Sequence, residues 1–224
     1  MSAILSNLYR IRVDILKEEF NSFSSSFSRD NLFILVRFVT DAIKKVEKKP
    51  VQIIFPNISF AARARNYFGS DTIVDVHINS LENMEWKDNI RCIILVMPFS
   101  AEEDSRWKYI YSLIPDSIVC VLLNPQSKYD TQVGRFPHFS LEHYKGWKDY
   151  ESVYFLHSFI LIDSSGRTLQ VVVYKKHPFR CKIYYRVKSS NHTEWHVMEW
   201  NDSSYPNYPH TIPIEEIESN LSKE

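Results

Sequence analysis

One apolar run constrains the fold of this chain more than any other feature. Residues 118–123 read Ile-Val-Cys-Val-Leu-Leu without a polar residue, and Asn124-Pro125 ends the run. An unbroken run of branched apolar residues is typical of a strand covered on both faces, as in a parallel sheet under helices. Proline ends such a strand because it has no N–H to donate to the ladder. The run therefore predicts a parallel strand ending at Asn124, and ligands of open α/β sheets bind just beyond such strand ends.

Composition places the chain among folded, soluble proteins. Hydrophobic residues make up 44% and aromatic residues 14% of the 224 positions, which excludes a mainly disordered chain. Lysine plus arginine and aspartate plus glutamate number 27 each, so net charge gives no general attraction to nucleic acid or membranes. The apolar runs are far shorter than the roughly 20 residues that span a bilayer, and we expect no transmembrane segment. Cys92, Cys120 and Cys181 are expected to be reduced and buried.

Two patterns divide the chain near residue 150. Before it, strand candidates at 51–55, 72–77, 92–96 and 118–123 alternate with helix candidates at 3–20, 31–47, 58–68 and 101–113. After it, strand candidates follow one another at 153–162, 167–174, 180–187 and 194–200, before a terminal helix at 214–221. The pattern predicts an α/β fold with a small parallel doubly wound sheet, flanked by helices in three layers and extended by an antiparallel β-meander. We expect a single domain over residues 1–224, with the parallel part in 1–150 and the meander and terminal helix in 151–224.

The scarcity of glycine excludes the usual phosphate-binding loops. The chain has four glycines, whereas dinucleotide fingerprints and Walker loops need them in clusters. The turn after the first predicted strand, residues 55–59, contains none. The histidines and cysteines do not follow a zinc-binding spacing, and there is no Gly-x-Ser-x-Gly elbow. We therefore expect no catalytic residues, no cofactor and no metal ion, although the question of an enzyme stays open.

Polar residues near the ends of the predicted parallel strands form the candidate ligand-binding set: Asn57, His77, Ser100, Asn124 and Arg135. The carboxyl ends of parallel strands lie at one edge of a sheet, so we expect these residues to lie side by side there. The guanidinium of Arg135 would reach over that edge to hold an anion. Helix capping explains Asn57 and Ser100 equally well. A solvent-facing edge strand explains His77, and a surface ion pair explains Arg135.

Residues 167–188 carry basic residues without a single acidic one, interleaved with tyrosines. Basic and aromatic residues on strands bind anionic surfaces or single-stranded nucleic acid. The candidate partner surface consists of Lys175, Lys176, Arg180, Lys182, Tyr184 and Arg186. Lysine-rich strands also protect the edge of a sheet against aggregation, and this alternative stays open.

Five segments of the chain resemble a known family. They are VQIIFPNISFAARARNYF at 51–68, IILVMPFSAEEDSRWKYIY at 93–111, VCVLLNPQSKYDTQVGR at 119–135, YESVYFLHSFI at 150–160 and VYKKHPFRCKIY at 173–184. These segments resemble the domain-of-unknown-function family of cyanobacteria and plastids that includes the low-photosystem-II-accumulation protein 3 type and the C-terminal extension of some chloroplast adenylate kinases. The chain departs from that family at Asn57, where the family often has aspartate.

The resemblance implies a function and a location. It implies an accessory role, such as assisting photosystem assembly, in the plastid stroma or a cyanobacterial-type cytoplasm, free or peripheral to the thylakoid. With the basic strands, it favours a non-catalytic protein that binds a protein partner or an anionic surface. The alternative is an enzyme or binding protein for a nucleotide or phosphorylated metabolite at the strand edge. Nucleic-acid binding by the basic hairpin is a third and weaker alternative.

Overall fold

The computed structural model consists of one β-sheet with helices packed against it. It describes residues 8–16, 29–69, 75–87, 89–98, 105–125, 150–187, 195–199 and 214–221. The strands are β1 (Arg10–Leu16), β2 (Val51–Phe55), β3 (Val76–Ser80), β4 (Cys92–Val96), β5 (Val119–Leu123), β6 (Glu151–Ile162), β7 (Thr168–Lys176), β8 (Lys182–Val187) and β9 (His196–Glu199). The helices are α1 (Arg29–Lys44), α2 (Ile58–Phe68), α3 (Ser105–Leu113) and α4 (Ile214–Leu221). None of these four helices is long and apolar enough to cross a membrane.

All nine strands belong to one sheet, in the order β3-β2-β4-β5-β1-β6-β7-β8-β9. The neighbouring strands from β3 to β6 are parallel. Those from β6 to β9 are antiparallel. This topology confirms the predicted mixed α/β fold and the antiparallel meander after residue 150. Because β6 pairs with β1 on one side and with β7 on the other, the two parts share one hydrogen-bonded sheet.

The predicted helix over residues 3–20 is wrong in the part that the structure describes. Residues 10–16 form β1, which lies between β5 and β6 in the interior of the sheet. Its apolar residues Ile11, Val13 and Ile15 pack against the core and alternate with polar ones. Alternation is the period of a strand, since successive side chains point to opposite faces. That alternation is the sequence signal from which β1 can be recognised.

Two other predicted elements are displaced along the chain. The strand predicted at 72–77 instead begins at Val76 and ends at Ser80. Asp75 has a φ of +78°, a left-handed conformation through which a strand does not continue. α1 begins at Arg29 and ends at Lys44, rather than at residues 31 and 47. The fourth predicted helix, at 101–113, ends at Leu113 as predicted, and within the described residues it begins at Ser105. In contrast, α2 occupies the predicted residues 58–68.

The first apolar cluster packs α1 and α2 against one face of the sheet. The strand residues Val51, Ile53 and Phe55 contribute to it from alternate positions of β2. The helix residues buried in the same cluster are Leu32, Phe33, Leu35, Val36 and Ile43 from α1, and Ala61, Ala64 and Phe68 from α2. The two helices also touch each other, since the ring centroids of Phe33 and Tyr67 are 5.8 Å apart.

Two further clusters contain α3 and α4. Trp107 and Ile110 of α3 are buried in the second cluster. The strand residues of this cluster alternate along each parallel strand with those of the first cluster; they are Ile54, Ile93, Leu95, Cys120 and Leu122. Ile217 of α4 is buried with residues of the meander, namely Phe155, Leu169, Val171, Val173, Cys181, Ile183 and Tyr185. The third cluster therefore forms the inner face of the meander.

A buried ion pair lies on β1 between the second and third clusters. Arg12 is in register with Leu122 on β5, and Asp14 is in register with Phe155 on β6. The Arg12 guanidinium donates from Nε to Asp14 Oδ2 at 2.7 Å and from Nη2 to Oδ1 at 3.0 Å. The two residues are 2% and 0% exposed. Removing either partner of such a buried bidentate pair is destabilising, because the remaining charge loses the interaction that offset its burial.

Asp163 holds the hairpin between β6 and β7. Its carboxylate accepts hydrogen bonds from Ser165 and Arg167, including one from Arg167 Nε at 2.6 Å. Burial alone would raise the pKa of Asp163, but these bonds and the charge of Arg167 lower it to about 2. In the same hairpin, the Ser164 backbone N–H and hydroxyl donate to the Glu218 carboxylate of α4 at 2.6 and 3.0 Å. The hairpin thus fixes α4 to the meander.

Candidate functional site

Asn124 joins the carboxyl end of β5 to β1. Its backbone N–H donates to the Val13 carbonyl at 2.8 Å. Its side-chain Oδ1 accepts from the Ile15 N–H at 2.7 Å, and Nδ2 donates to the Ile15 carbonyl at 3.1 Å. The side-chain amide thereby continues the ladder where the backbone, with a φ of +47° at Asn124, turns away. Since the residue is only 4% exposed, these contacts give it a structural role at the edge where a ligand was predicted.

Asn57 is the N-cap residue of α2. Its Oδ1 accepts from the Phe60 N–H at 3.0 Å. The carboxylate of Glu82, in the loop after β3, accepts from the Ile58 N–H at 2.9 Å. Two of the N–H groups that a helix leaves unpaired at its first turn are therefore satisfied by side chains. Capping accounts for Asn57 without a ligand.

His77 lies away from the carboxyl edge of the sheet, so its predicted placement is wrong. It is the second residue of β3 and is in register with Gln52, near the beginning of β2. Ser80, at the end of the strand, lies three positions further along, a distance of about 10 Å. The error follows from the displaced strand bounds. Ser100 and Arg135, the other two predicted ligand-binding residues, lie outside the described residues.

A cavity of about 480 Å³ opens beside the carboxyl end of β3. Its walls are formed by the loop after β3, with Leu81, Met84 and Trp86, and by α3, with Tyr109. Trp86 is 36% and Tyr109 63% exposed, so solvent reaches both rings. Glu82 and Arg106 also line the cavity. These residues were not predicted from the sequence because they follow no spacing motif, and the loop after β3 and α3 approach each other only in the fold.

Most residues of the predicted partner surface lie on the outer face of the meander. We call it the open face and define it by the outward residues Ile160, Ile162, Gln170, Val172, Tyr174, Lys176, Lys182, Tyr184, Arg186, Trp195, Val197 and Glu199. Lys182, Tyr184 and Arg186 are half-buried there, whereas Lys176 is exposed. Arg180, also exposed, lies in the turn between β7 and β8. The strand register thus brings five of the six predicted residues to this face or beside it.

Arg186 is held in a fixed position on the open face. Its Nε and Nη2 donate to Gln170 Oε1 at 3.0 and 2.9 Å. Its guanidinium carbon also lies 4.6 Å from the ring centroid of Trp195, within the range of a cation–π contact. A guanidinium held by an amide and an aromatic ring loses little freedom when it binds an anion.

Lys175 does not belong to the partner surface, so its prediction as a surface residue is wrong. It continues the alternate buried residues Val171 and Val173 on the inner side of β7 and is 4% exposed. Its Nζ lies 3.3 Å from Glu151 Oε1. Burial lowers the pKa of Lys175, and the neighbouring Glu151 carboxylate opposes that shift. The two-residue period of the strand, rather than the charge of the side chain, decides which face Lys175 occupies.

The cysteines are buried and free, as predicted. Burial raises the pKa of all three, to about 11 for Cys120 and Cys181 and well above its usual value for Cys92. Tyr150 also donates its hydroxyl to Cys120 Sγ at 3.3 Å. The thiolate is the reactive form of cysteine, so these thiols are not activated nucleophiles at neutral pH.

Known proteins do not add a functional assignment. No protein-family model, curated protein or solved structure matches this chain. Within the described ranges, there is also no group of three or more His, Cys, Asp or Glu residues that could hold a metal ion. Function is therefore inferred from the geometry of the open face and of the cavity beside β3.

Proposed function

We propose that this chain is a non-catalytic accessory protein that binds an acidic protein segment through its open face. The observation that carries the proposal is the charge of that face. Three basic residues, Lys176, Lys182 and Arg186, lie on this face. Within the described strands, the acidic residue of the face is Glu199, which is in register with Lys182. Such an excess of cations attracts acidic partners and repels basic ones.

The apolar residues of the open face favour a protein segment over a nucleic acid. Ile160, Ile162 and Val197 are 56%, 66% and 57% exposed. The face also carries aromatic rings, such as that of Trp195, on which a base stacks. Its exposed aliphatic side chains add nothing to base stacking, whereas they bury well against the side chains of a peptide. Tyr184 and Arg186 add the residue types in which interface hot spots are enriched. An acidic segment with interspersed apolar residues fits this combination.

The family resemblance extends the proposal to a location and a process. Residues 50–190 resemble the plastid and cyanobacterial family described above, which supports a partner involved in photosystem assembly. The proposed location is the plastid stroma or a cyanobacterial-type cytoplasm, with the option of peripheral attachment to the thylakoid. The charge of the open face is compatible with this role, because it provides a binding surface and needs no catalytic group.

We also infer the predicted three-layer, doubly wound arrangement for the parallel part of the sheet. α1 and α2 share a cluster with Ile53, whereas α3 shares a cluster with Ile54. Successive strand residues point to opposite faces, which supports helices on both faces of the parallel strands. In this arrangement the open face is the part of the sheet that extends beyond α1 and α2.

The test is the binding of a fluorescein-labelled synthetic peptide, in which glutamates alternate with leucines and phenylalanines, measured by fluorescence anisotropy. We expect the double variant Lys182→Ala/Arg186→Ala to bind it roughly ten- to hundredfold more weakly, because both cations contact the acidic side chains. Tyr184→Ala is expected to lose about tenfold through lost apolar contact. Raising the salt concentration should weaken binding to the wild-type chain.

The matched control removes two exposed lysines elsewhere. Lys45→Ala/Lys48→Ala changes the net charge equally but lies outside the open face, and its dissociation constant should stay within about twofold of wild type. If both double variants lost the same peptide affinity, the effect would come from net charge alone and the proposal would be contradicted. Absence of peptide binding, or tighter binding of a single-stranded RNA oligonucleotide than of the peptide, would contradict it as well.

A second candidate function is the binding of a nucleotide or related phosphorylated metabolite in the cavity beside β3. Its volume falls within the roughly 300–1,000 Å³ of small-molecule sites, and the accessible rings of Trp86 and Tyr109 suit a flat base. We expect nucleoside monophosphates to raise the melting temperature by several degrees at saturating concentration. Trp86→Ala and Tyr109→Ala should abolish the shift, whereas Trp195→Ala on the open face should keep it. No shift with any nucleotide would exclude this candidate.

A further inference from the structure

α1 exposes two large apolar residues on the side that faces away from the sheet. Ile34 is 50% and Phe38 70% exposed. They are four residues apart, so their side chains are neighbours on the helix surface. The opposite stripe of the helix, with Leu32, Val36 and Ile43, is buried in the first cluster. α1 is thus anchored by one face, while Ile34 and Phe38 protrude from the other.

Basic residues surround the end of this helix. Lys45, Lys48 and Lys49 are exposed in the turn that follows α1. Two acidic residues lie near these lysines: Asp41, which is 4.0 Å from Arg37 on the helix itself, and the half-buried Glu47 in the same turn. They offset the lysines only in part. Protruding apolar side chains beside a lysine cluster are the combination by which peripheral proteins attach to anionic lipid surfaces.

We propose that the outer surface of α1, formed by Ile34, Phe38, Lys45, Lys48 and Lys49, docks on an anionic membrane surface. Ile34 and Phe38 enter the boundary between headgroups and acyl chains, and the lysines contact the anionic headgroups. α1 lies flat on the sheet, so it lies parallel to the bilayer when docked.

The second helix extends this surface. Tyr67 of α2 contacts Phe33 of α1 with ring centroids 5.8 Å apart and is 37% exposed. Arg63 on the same helix is exposed as well. An amphipathic ring is well suited to the headgroup level of a membrane, where one end is apolar and the other hydrated. The docking residues differ from those of the open face, so the proposal stands or fails independently of the proposed function.

The test is the co-sedimentation of the full chain with phosphatidylcholine vesicles, prepared with and without phosphatidylglycerol. We expect binding to the anionic vesicles only, weakened by salt. Lys45→Gln/Lys48→Gln/Lys49→Gln should reduce the partition coefficient by about a hundredfold, since each lysine near the surface is worth roughly fivefold. Ile34→Ser/Phe38→Ser should reduce it by about tenfold or more through lost apolar burial. Far-ultraviolet circular dichroism shows that each variant remains folded.

The matched control is Ile160→Ser/Ile162→Ser, which removes two exposed apolar residues from the open face and should leave vesicle binding unchanged. An equal loss in this control would overturn the assignment of the surface to α1. If Ile34→Ser/Phe38→Ser bound anionic vesicles as well as the wild-type chain does, the inference that these two side chains insert into the bilayer would be overturned. Failure of the wild-type chain to bind anionic vesicles, or equal binding to both vesicle types, would overturn the proposal as a whole.

Discussion

Asp14→Ala is expected to lower the free energy of unfolding by about 3–5 kcal/mol, the largest effect of any single substitution considered for this chain. The substitution leaves the Arg12 guanidinium, 2% exposed, without the carboxylate that holds it at 2.7 and 3.0 Å. A charge buried without its partner cannot regain the hydration it lost on folding. Urea denaturation at neutral pH, followed by tryptophan fluorescence, measures the effect.

An exposed ion pair of the same length provides the control. Lys87 Nζ lies 2.7 Å from Glu85 Oε2, but the side chains are 44% and 72% exposed. Glu85→Ala should leave the denaturation midpoint unchanged, because water already screens that pair. The double variant Arg12→Met/Asp14→Leu should recover most of the stability lost in Asp14→Ala, since it removes both charges. A small effect of Asp14→Ala, or a double variant less stable than the single one, would contradict the assignment of the cost to the loss of this ion pair.

The same ion pair explains why β1 escaped prediction from the sequence. Interior strands of a parallel sheet normally read as continuous apolar runs. β4 and β5 are predicted from such runs, and β2 from a run that only Gln52 interrupts. β1 is also an interior strand, but Arg12 and Asp14 occupy buried positions in it. Because the two charges pair with each other within one strand, the sheet tolerates them. The sequence shows the charges but not their pairing, so the segment resembled an amphipathic surface helix.

Lys175 was misplaced for a related reason. Residue type suggested a surface position beside Lys176, whereas the alternation from Val171 and Val173 predicts the buried face. The contact with Glu151 that makes this burial tolerable joins two strands and is not visible in either segment alone. Local patterns thus predicted every strand except β1, with the bounds of β3 displaced. Long-range pairs of charges decided which polar residues are buried.

The candidate sites differ in how far sequence could reveal them. The open face could be anticipated, because alternate residues of adjacent strands share a face and the basic residues recur at that period. The cavity beside β3 could not, since its walls come from a loop and a helix that approach each other only in the fold. The role of Asn124 also depends on a distant segment: its partner Ile15 precedes it by 109 residues.

Asn124→Ala is expected to lower the free energy of unfolding by about 2–4 kcal/mol. It removes both hydrogen bonds to Ile15 and leaves that residue's N–H and carbonyl without their partner at a largely buried position. It also places alanine at a φ of +47°, which costs roughly 1–2 kcal/mol for a residue other than glycine or asparagine. Urea denaturation of the variant and the wild-type chain measures the sum.

Two further variants separate these causes. Asn124→Gly keeps the backbone conformation accessible and loses only the hydrogen bonds, so its loss should be smaller than that of alanine. Asn124→Asp keeps the oxygen that accepts from the Ile15 N–H but loses the donor to the Ile15 carbonyl; protonation of the new carboxyl group restores a donor, and stability relative to wild type should improve as the pH falls. Asn57→Ala, which removes an N-cap, is the matched asparagine control with a loss of about 1 kcal/mol.

A ligand-binding role for Asn124 predicts the opposite pattern. An asparagine kept for a ligand can be replaced with little loss of stability in the unliganded chain, while stabilisation by the ligand disappears. If Asn124→Ala were as stable as Asn57→Ala and lost any nucleotide-induced shift in melting temperature, the result would therefore support a ligand-binding role for Asn124. A loss of several kcal/mol with the shift retained would establish that the end of β5 closes the sheet against β1, and that small molecules bind elsewhere.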